Sequence, residues 1–291
     1  MLSVPAIAAS RKRIAPFRLY RPATIAAVCE LMAQWPGALL HAGGIDLVGR
    51  MKTGVAAAAV IALGGVAALK GVARVGDMVE IGAATTHWQL EHDEVLRGEL
   101  PAVADFVADL GNVRVRAQGT IGGNIMAAEP GYEMLPLLAA LDAELRFVAC
   151  HDGTRRTISA RAWRAPAPDS AELLTAIAIP LRTATVTWDR TLRPLLGLIA
   201  TLQWRDDVAV SGLAALTGRG PVWAPLGLAE PVRRRDLVEA ADAIGLDWAG
   251  RLPPLAMTAG AGDAYCRHAA RVMARRAIER MARTGFWRTG S

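Results

Sequence analysis

The sequence has few cysteines, and those it has lie far apart. Cys29, Cys150 and Cys266 form no C-x-x-C pair and no other spacing that binds a zinc ion or an iron–sulfur cluster. No such centre is therefore expected in this chain. A sparse, odd count is typical of a reducing compartment, where each cysteine is most simply a small buried apolar residue. This pattern predicts a cytoplasmic protein.

Long apolar runs are also absent. The longest, Val55 to Leu69, is interrupted by Gly64-Gly65 and is shorter than the roughly 18 to 20 residues that span a bilayer. The first residues are apolar and then charged, which is the reverse of a secretory signal. We expect no membrane span and no secretion by a signal of its own.

Aromatic residues make up only 5% of the chain, although the net charge is +6 and the pI is about 9.8. The positive charge comes almost entirely from arginines, which are scattered and not interleaved with aromatic rings that could stack on bases. Solvated surfaces, or a face that contacts an acidic partner protein, are favoured over nucleic-acid binding. We expect no nucleic acid among the partners.

The sequence also lacks the signatures of side-chain catalysis. There is no G-x-S-x-G elbow, no carboxylate pair that stands out for glycoside chemistry, and no histidine at metal-ligand spacing from acids. Hydrophobic residues make up 53% and charged residues 21% of 291 residues, which is typical of a folded globular protein and not of a disordered one.

The hydrophobic pattern predicts two domains. Residues 1–182 form the first, with subdomains of about 1–60 and 61–182, and residues 183–291 form the second. The first begins as a strand–helix–strand unit with its helix at Ile25 to Met32, and strands and helices alternate after it. The composition changes after Pro180. Two strands, at Leu195 to Trp204 and Val208 to Leu216, are then followed by helices at Arg234 to Ile244 and Asp263 to Arg283.

Two glycine-bearing segments indicate a ligand. They are residues 41–46 (HAGGID) and 119–124 (GTIGGN). Paired glycines remove Cβ atoms and permit positive φ, so that consecutive N–H groups can point at one anion. Neither segment is a G-x-G-x-x-G or Walker A motif, and either alone is more often an ordinary tight turn. Two such turns could hold a pyrophosphate from two sides, with the Thr120 hydroxyl and the Asn124 amide as further contacts.

These segments resemble the flavoprotein subunits of molybdenum hydroxylases, which are the medium subunits of carbon monoxide dehydrogenase and the FAD domains of xanthine dehydrogenase-type enzymes. TIGGN is the most specific match. The similar stretches are residues 17–22, 42–54 (AGGIDLVGRMKTG), 79–87 (VEIGAATTH), 113–144, 172–180 (ELLTAIAIP), 207–210 and 265–278.

The resemblance implies an α+β fold: a two-subdomain FAD-binding fold of the vanillyl-alcohol-oxidase (PCMH) type, followed by a C-terminal α+β domain of the carbon monoxide dehydrogenase flavoprotein type. It implies FAD as the cofactor, which we expect to be non-covalent because no His or Cys is singled out for attachment. The residues assigned to FAD are Leu40, His41, Ala42, Gly43, Gly44, Ile45, Asp46, Leu110, Gly119, Thr120, Gly122, Gly123, Asn124, Met126, Ala127, Glu133 and Leu174.

Individual roles follow from the same resemblance. Residues 42–46 would hold the pyrophosphate, and the second loop would bind pyrophosphate and ribityl groups near the isoalloxazine ring. Glu133 falls on the family's carboxylate nine residues past Asn124, and Leu174 falls on its apolar flavin neighbour. His41 is expected to be structural, because it ends a strand.

The chain departs from the family pattern in four places. Ile45 stands where the family usually has threonine, Glu133 replaces aspartate, and Ala117 replaces the asparagine that follows Arg116. The family's basic residues around Ile199 to Trp204 are absent, so the contacts that the C-terminal domain makes with the flavin are not predicted.

The resemblance implies an oxidoreductase subunit that passes electrons through FAD. The electrons would come from [2Fe–2S] clusters on a small subunit, after substrate oxidation at a molybdopterin centre on a large subunit. The complex is expected to be a heterotrimer or its dimer, with an external acceptor. A stand-alone FAD oxidoreductase and a flavin-free scaffold subunit are the alternatives. No proton donor for the first is evident, and the intact glycine segments argue against the second.

Overall fold

The computed structural model describes residues 14–165, 171–182, 184–190, 196–218, 222–228, 230–254 and 262–283. The N-terminal part is a small three-stranded parallel sheet in the order β1-β3-β2. Its elements are β1 (Arg18–Tyr20), α1 (Ile25–Gln34), β2 (Leu39–His41), α2 (Ile45–Lys52) and β3 (Ala59–Ala62). Helix α1 begins where the Thr24 side chain accepts a hydrogen bond from the N–H of Ala27. Its buried Val28 packs with Ile61 of β3 in a cluster of its own.

The second part contains an antiparallel five-stranded sheet in the order β4-β5-β8-β6-β7, covered by short helices. Its strands are β4 (Val72–Val75), β5 (Met78–Gly82), β6 (Glu144–Ala149), β7 (Arg155–Ser159) and β8 (Glu172–Pro180). Its helices are α3 (His87–His92), α4 (Glu94–Glu99), α5 (Pro101–Ala108), α6 (Val113–Gln118), α7 (Ile121–Met126) and α8 (Met134–Ala140). Alternate residues of β6 are buried, as expected for a strand with one face on the core.

The C-terminal part is an antiparallel sheet in the order β12-β11-β10-β9, with a short fifth strand paired to β11. Its elements are β9 (Ala184–Arg190), β10 (Gly197–Arg205), β11 (Val208–Thr217), β12 (Val222–Pro225), β13 (Val232–Arg233), α9 (Leu237–Gly250) and α10 (Asp263–Arg283). The two helices pack on this sheet through a core that includes the fully buried Trp248. The Trp248 indole N–H donates to the carbonyl of Ala224 at 3.1 Å, so its polar atom is satisfied inside the core.

The second and third parts share a core. Ile199 and Leu213 of the C-terminal sheet belong to the cluster formed around α5 and α8. The Thr201 hydroxyl donates to the carbonyl of Ala140 at 3.1 Å, and the Trp188 indole N–H donates to Asp109 at 2.9 Å. These contacts hold β10 against the end of α8, and β9 against Asp109, which follows α5 and lines the cavity described below.

The predicted α+β class is confirmed, and α10 has the predicted bounds. Helix α9 begins three residues later than predicted, after a 3₁₀ turn at Arg234–Asp236. Helix α8 ends at Ala140, and Asp142, two residues later, has a positive φ of 57° that does not continue a helix. Within the described residues, no helix is long and apolar enough to cross a membrane.

The prediction that each cysteine stands alone is wrong for two of them. Cys29 of α1 and Cys150, directly after β6, form a disulfide between the first and second parts. A sequence separation of 121 hides this contact in the sequence, and the fold brings the end of β6 next to α1. Cys266 is buried in α10, as predicted.

Candidate functional site

A cavity of about 650 Å³ lies where the three parts of the chain meet. Its volume is within the range of about 300 to 1,000 Å³ that ligand and cofactor sites occupy. The N-terminal part contributes residues from Leu39 to Arg50, the second part contributes residues between His87 and Glu133, and the C-terminal part contributes four residues, Arg190, Leu196, Gly197 and Thr217.

The first glycine loop joins β2 to α2. Gly44 has a φ of 75°, a conformation that favours glycine, and it precedes the first residue of α2. No side chain caps this helix, so the N–H groups of its first turn are available to an anion in the cavity. Arg50, one turn further along α2, lines the same cavity and lies 3.6 Å from Asp46.

The second glycine loop is the start of a helix. The Thr120 hydroxyl accepts a hydrogen bond of 3.0 Å from the N–H of Gly123 and so caps α7. The two loops also touch each other, because the Cα of Gly43 lies against the carbonyl of Gln118, where a Cβ would overlap it. Two segments about eighty residues apart in sequence therefore face one cavity.

The cavity wall contains all but three of the residues that the sequence assigns to FAD. These lining residues are Leu40, Ala42, Gly43, Gly44, Ile45, Asp46, Leu110, Gly119, Thr120, Gly123, Asn124, Met126, Ala127 and Glu133. Ile45, at the departure from the family's threonine, offers only its backbone and an apolar side chain to a ligand.

The other three residues lie behind or away from the wall. The imidazole of His41 packs against Gly44, in agreement with the structural role expected for it. Gly122 packs α7 against Ala83, and its N–H donates to the Ala83 carbonyl at 2.9 Å. Leu174 is buried in β8 opposite Phe147 and does not line the cavity, so its predicted contact with the flavin has no support from its position.

Six polar residues of the wall were not assigned from the sequence: Arg50, His87, Asp109, Tyr132, Arg190 and Thr217. His87 ends the matching stretch VEIGAATTH, and Tyr132 directly precedes Glu133. Their closeness in sequence to segments that resemble the family was the signal that could have identified these two residues. Arg190 had no such signal, because it lies in the part of the chain that matches the family least.

His87 is neutral at neutral pH. Its side chain is almost completely buried beneath Gly119, and burial, with Arg116 as a second cause, lowers its pKa from 6.5 to about 4. Burial and the charges of Asp46 and Glu129 raise the pKa of Tyr132. Its phenol therefore stays protonated and can donate a hydrogen bond to a ligand.

Glu133 and Arg190 form an ion pair across the boundary between the second and third parts. The Arg190 Nε–H lies 2.8 Å and 3.0 Å from the two carboxylate oxygens of Glu133. Both side chains are largely buried, and the guanidinium also lies over the ring of Phe106. The longer arm of Glu133, compared with the family's aspartate, is thus used to reach a partner on β9.

The cavity wall contains polar atoms that require a ligand. Asn124 Oδ1, His87 Nδ1 and Arg190 Nη2 are buried and have no hydrogen-bond partner in the part of the chain that the structure describes. Buried polar groups are normally paired, so unpaired ones around one cavity indicate an occupant with donors and acceptors. A dinucleotide with a pyrophosphate fits these residues, the uncapped start of α2 and the cationic Arg50.

The comparisons with known proteins agree with this arrangement. Residues 15–182 match the family described as the FAD-binding domain in molybdopterin dehydrogenase. The medium chain of carbon monoxide dehydrogenase from Afipia carboxidovorans is 31% identical over 91% of this chain and 96% of its own. The nicotine 6-hydroxylase medium subunit of Paenarthrobacter nicotinovorans is 28% identical over 51% of this chain and 52% of its own.

Solved structures show the same fold over nearly the whole chain. The structure of quinoline 2-oxidoreductase from Pseudomonas putida 86 contains a chain with a TM-score of 0.84 at 22% identity, covering 93% of this chain and 98% of that one. The structure of the Cu,Mo-containing carbon monoxide dehydrogenase contains one with a TM-score of 0.79 at 24% identity.

The fold and the cavity define a flavin-binding oxidoreductase component. The chain belongs to the family of FAD-binding subunits of molybdenum-containing dehydrogenases. The predictions of the family, of FAD as cofactor and of an electron-transfer role in a multi-subunit oxidoreductase are confirmed at this level. Relatives that are medium chains imply partner subunits.

Proposed function

We propose that this chain holds FAD non-covalently in the cavity between its three parts and relays electrons within a three-subunit complex. The other chains would be a small subunit with [2Fe–2S] clusters and a large subunit with molybdopterin, arranged as a heterotrimer or its dimer. The observation that supports this best is the pair of touching glycine loops in a cavity lined by unpartnered polar atoms.

The residues of the chain would bind and orient the cofactor without reacting themselves. The first turn of α2 and Arg50 would meet the pyrophosphate, and Thr120, Gly123 and Asn124 would meet it from the other side. When bound, FAD supplies the two-electron and one-electron chemistry that joins the donor to the acceptor. The protein contributes the binding site, the exclusion of water and the local charge.

The site of action within this proposal is the cytoplasm. The substrate is set by the large subunit, and the external acceptor is set by groups that face the flavin.

One purification tests this function against its alternatives. The chain is isolated with the proteins that accompany it, its visible spectrum is recorded, the released flavin is identified, and iron and molybdenum are assayed. We expect FAD on this chain, released by denaturation, together with iron and molybdenum on co-purifying chains. A colourless chain within such a complex would support a scaffold subunit instead. FAD on an isolated chain that oxidises an organic substrate would support a stand-alone oxidoreductase.

A further inference from the structure

Arg190 is the one cationic residue that the described part of the C-terminal domain contributes to the cavity wall. It is the last residue of β9 and lies opposite Gly197 of β10. The preceding residue, Asp189, accepts ion pairs from Arg276 and Arg280 of α10, at 3.8 Å and 3.3 Å. The end of β9 is therefore fixed from behind, and the position of the Arg190 backbone is well defined.

The guanidinium of Arg190 is oriented but not saturated. Glu133 engages its Nε–H through both carboxylate oxygens, at 2.8 Å and 3.0 Å. Its Nη2 is buried and has no hydrogen-bond partner among the described residues. A guanidinium has five N–H donors in a rigid plane, so holding one edge fixes the direction of the others. A charged donor that is buried without a partner loses its hydrogen bonds to water and gains none in return, which destabilises the protein. Its burial at a cavity wall therefore indicates that an acceptor on a ligand binds it.

The strand beside Arg190 leaves room for this arrangement. A Cβ at Gly197 would lie 2.5 Å from Thr217 Oγ1 and 3.1 Å from Glu133 Oε1. A side chain at this position would overlap the Thr217 hydroxyl and crowd the carboxylate that orients Arg190. Gly197, which pairs with Arg190 across the two strands, therefore leaves the space that the Glu133–Arg190 ion pair needs at the cavity wall.

We propose that Arg190 donates from Nη2 to the pyrimidine edge of the flavin, at the N1 and C2-carbonyl positions, and that Glu133 is its positioning residue. This inference rests on the proposed function and supplies a flavin contact from the C-terminal domain. The pyrophosphate already has the two glycine loops and Arg50, whereas the pyrimidine edge gains negative charge when the flavin accepts two electrons. A fixed positive charge beside that edge stabilises the reduced form more than the oxidised form.

The consequence is a higher reduction potential for the bound flavin. Loss of a charged donor that binds the reduced form more tightly than the oxidised form should change the reduction equilibrium by about tenfold or more. For a two-electron couple a tenfold change is about 30 mV. Arg190→Gln should lower the midpoint potential by at least that amount. Arg190→Lys should lower it less, because Lys keeps the positive charge and loses only the planar arrangement of N–H donors.

The experiment is an equilibrium reductive titration of the complex as purified, with a reference dye, for the native chain, Arg190→Gln, Arg190→Lys and Glu133→Gln. Glu133→Gln removes the neutralising carboxylate, so its potential should not fall as it does in Arg190→Gln. The double variant Arg190→Gln with Glu133→Gln removes both charges and shows whether an unpaired Glu133 causes the shift. Arg182→Gln is the matched control, because Arg182 pairs with Asp142 at 2.8 Å and does not line the cavity.

The outcomes separate this inference from the proposed function. A lower potential in both Arg190→Gln and the double variant, with FAD content retained and Arg182→Gln unchanged, supports the contact. FAD bound at the native potential in Arg190→Gln overturns it. Weaker FAD binding at an unchanged potential also overturns it, since that result places Arg190 on the pyrophosphate or the adenosine. Absence of FAD from the native complex would contradict the proposed function itself. If Arg190→Gln does not fold, Arg190→Lys and Glu133→Gln still test the potential.

Discussion

Gly43 is the residue at which the two glycine loops meet. Its Cα faces the carbonyl of Gln118 so closely that a Cβ cannot be placed without moving one of the loops. Gly43→Ala should therefore separate the loops, lower stability by about 1 to 3 kcal/mol and greatly weaken FAD binding. Flavin fluorescence measures the FAD that the variant retains, and urea unfolding measures its stability. Native values of both would contradict the prediction.

Gly49 is the control for that substitution. It lies in the middle of α2, only six residues from Gly43, and a Cβ there meets nothing within 4 Å. Gly49→Ala should keep FAD and raise helix stability by up to about 1 kcal/mol. Equal effects of the two substitutions would show that the contact between the loops is not what matters.

His87 makes stability depend on pH. Its pKa is lowered to about 4 in the folded chain from a reference value of 6.5, mainly by burial and then by Arg116. The unfolded chain binds more protons between these two values, so stability falls as the pH falls from 6.5 toward 4. The loss from this one group can reach about 3 kcal/mol.

The test is urea unfolding at several pH values for the native chain and for His87→Gln. The pH dependence between 6.5 and 4 should be shallower in His87→Gln. The same slope in the native chain and His87→Gln would mean that His87 is not the titrating group.

At the scale of elements, periodicity predicted most of the fold. The helix at Asp263–Arg283 and the strands of the C-terminal sheet at β10 and β11 follow their hydrophobic patterns closely. The sequence predicts a loop where α7 lies, because glycines disfavour a helix locally, whereas the packing of Gly122 on Ala83 that stabilises α7 depends on the tertiary fold. Strand β9 was missed as well, and with it Arg190, whose partner Glu133 is 57 residues away. Side-chain pairs of this separation leave no trace in one sequence.

The disulfide is the clearest contact between elements that the sequence did not reveal. It ties α1 to the end of β6 and closes a loop of 121 residues. Under oxidising conditions, thiol titration of the unfolded chain should find only Cys266, and reduction should expose Cys29 and Cys150. Reduction, or Cys29→Ser, should lower stability by about 2 to 5 kcal/mol. Three titratable thiols in the chain isolated without reductant would show that the pair is not oxidised.

At the scale of the molecule, the wall of the cofactor cavity is complete only while the C-terminal domain stays docked. The domain contributes Arg190, Leu196, Gly197 and Thr217 to the wall, so FAD bound there links it to the glycine loops. A ligand that binds only the closed arrangement stabilises that arrangement in proportion to its affinity. Excess FAD should therefore raise the unfolding temperature of both parts together.

Trp188 of β9 is the contact that best tests this coupling. Its indole N–H donates to Asp109 at 2.9 Å, and its ring meets the edge of Phe106 with centroids 5.3 Å apart. Both partners are on or next to α5, so Trp188→Ala should loosen the domain by about 1 to 3 kcal/mol and raise the dissociation constant for FAD correspondingly. Trp188→Phe keeps an aromatic ring beside Phe106 and loses the hydrogen bond and part of the ring volume, so its effect should be smaller. Weaker docking with unchanged FAD affinity, measured by limited proteolysis and fluorescence titration, would mean that the glycine loops alone hold the cofactor.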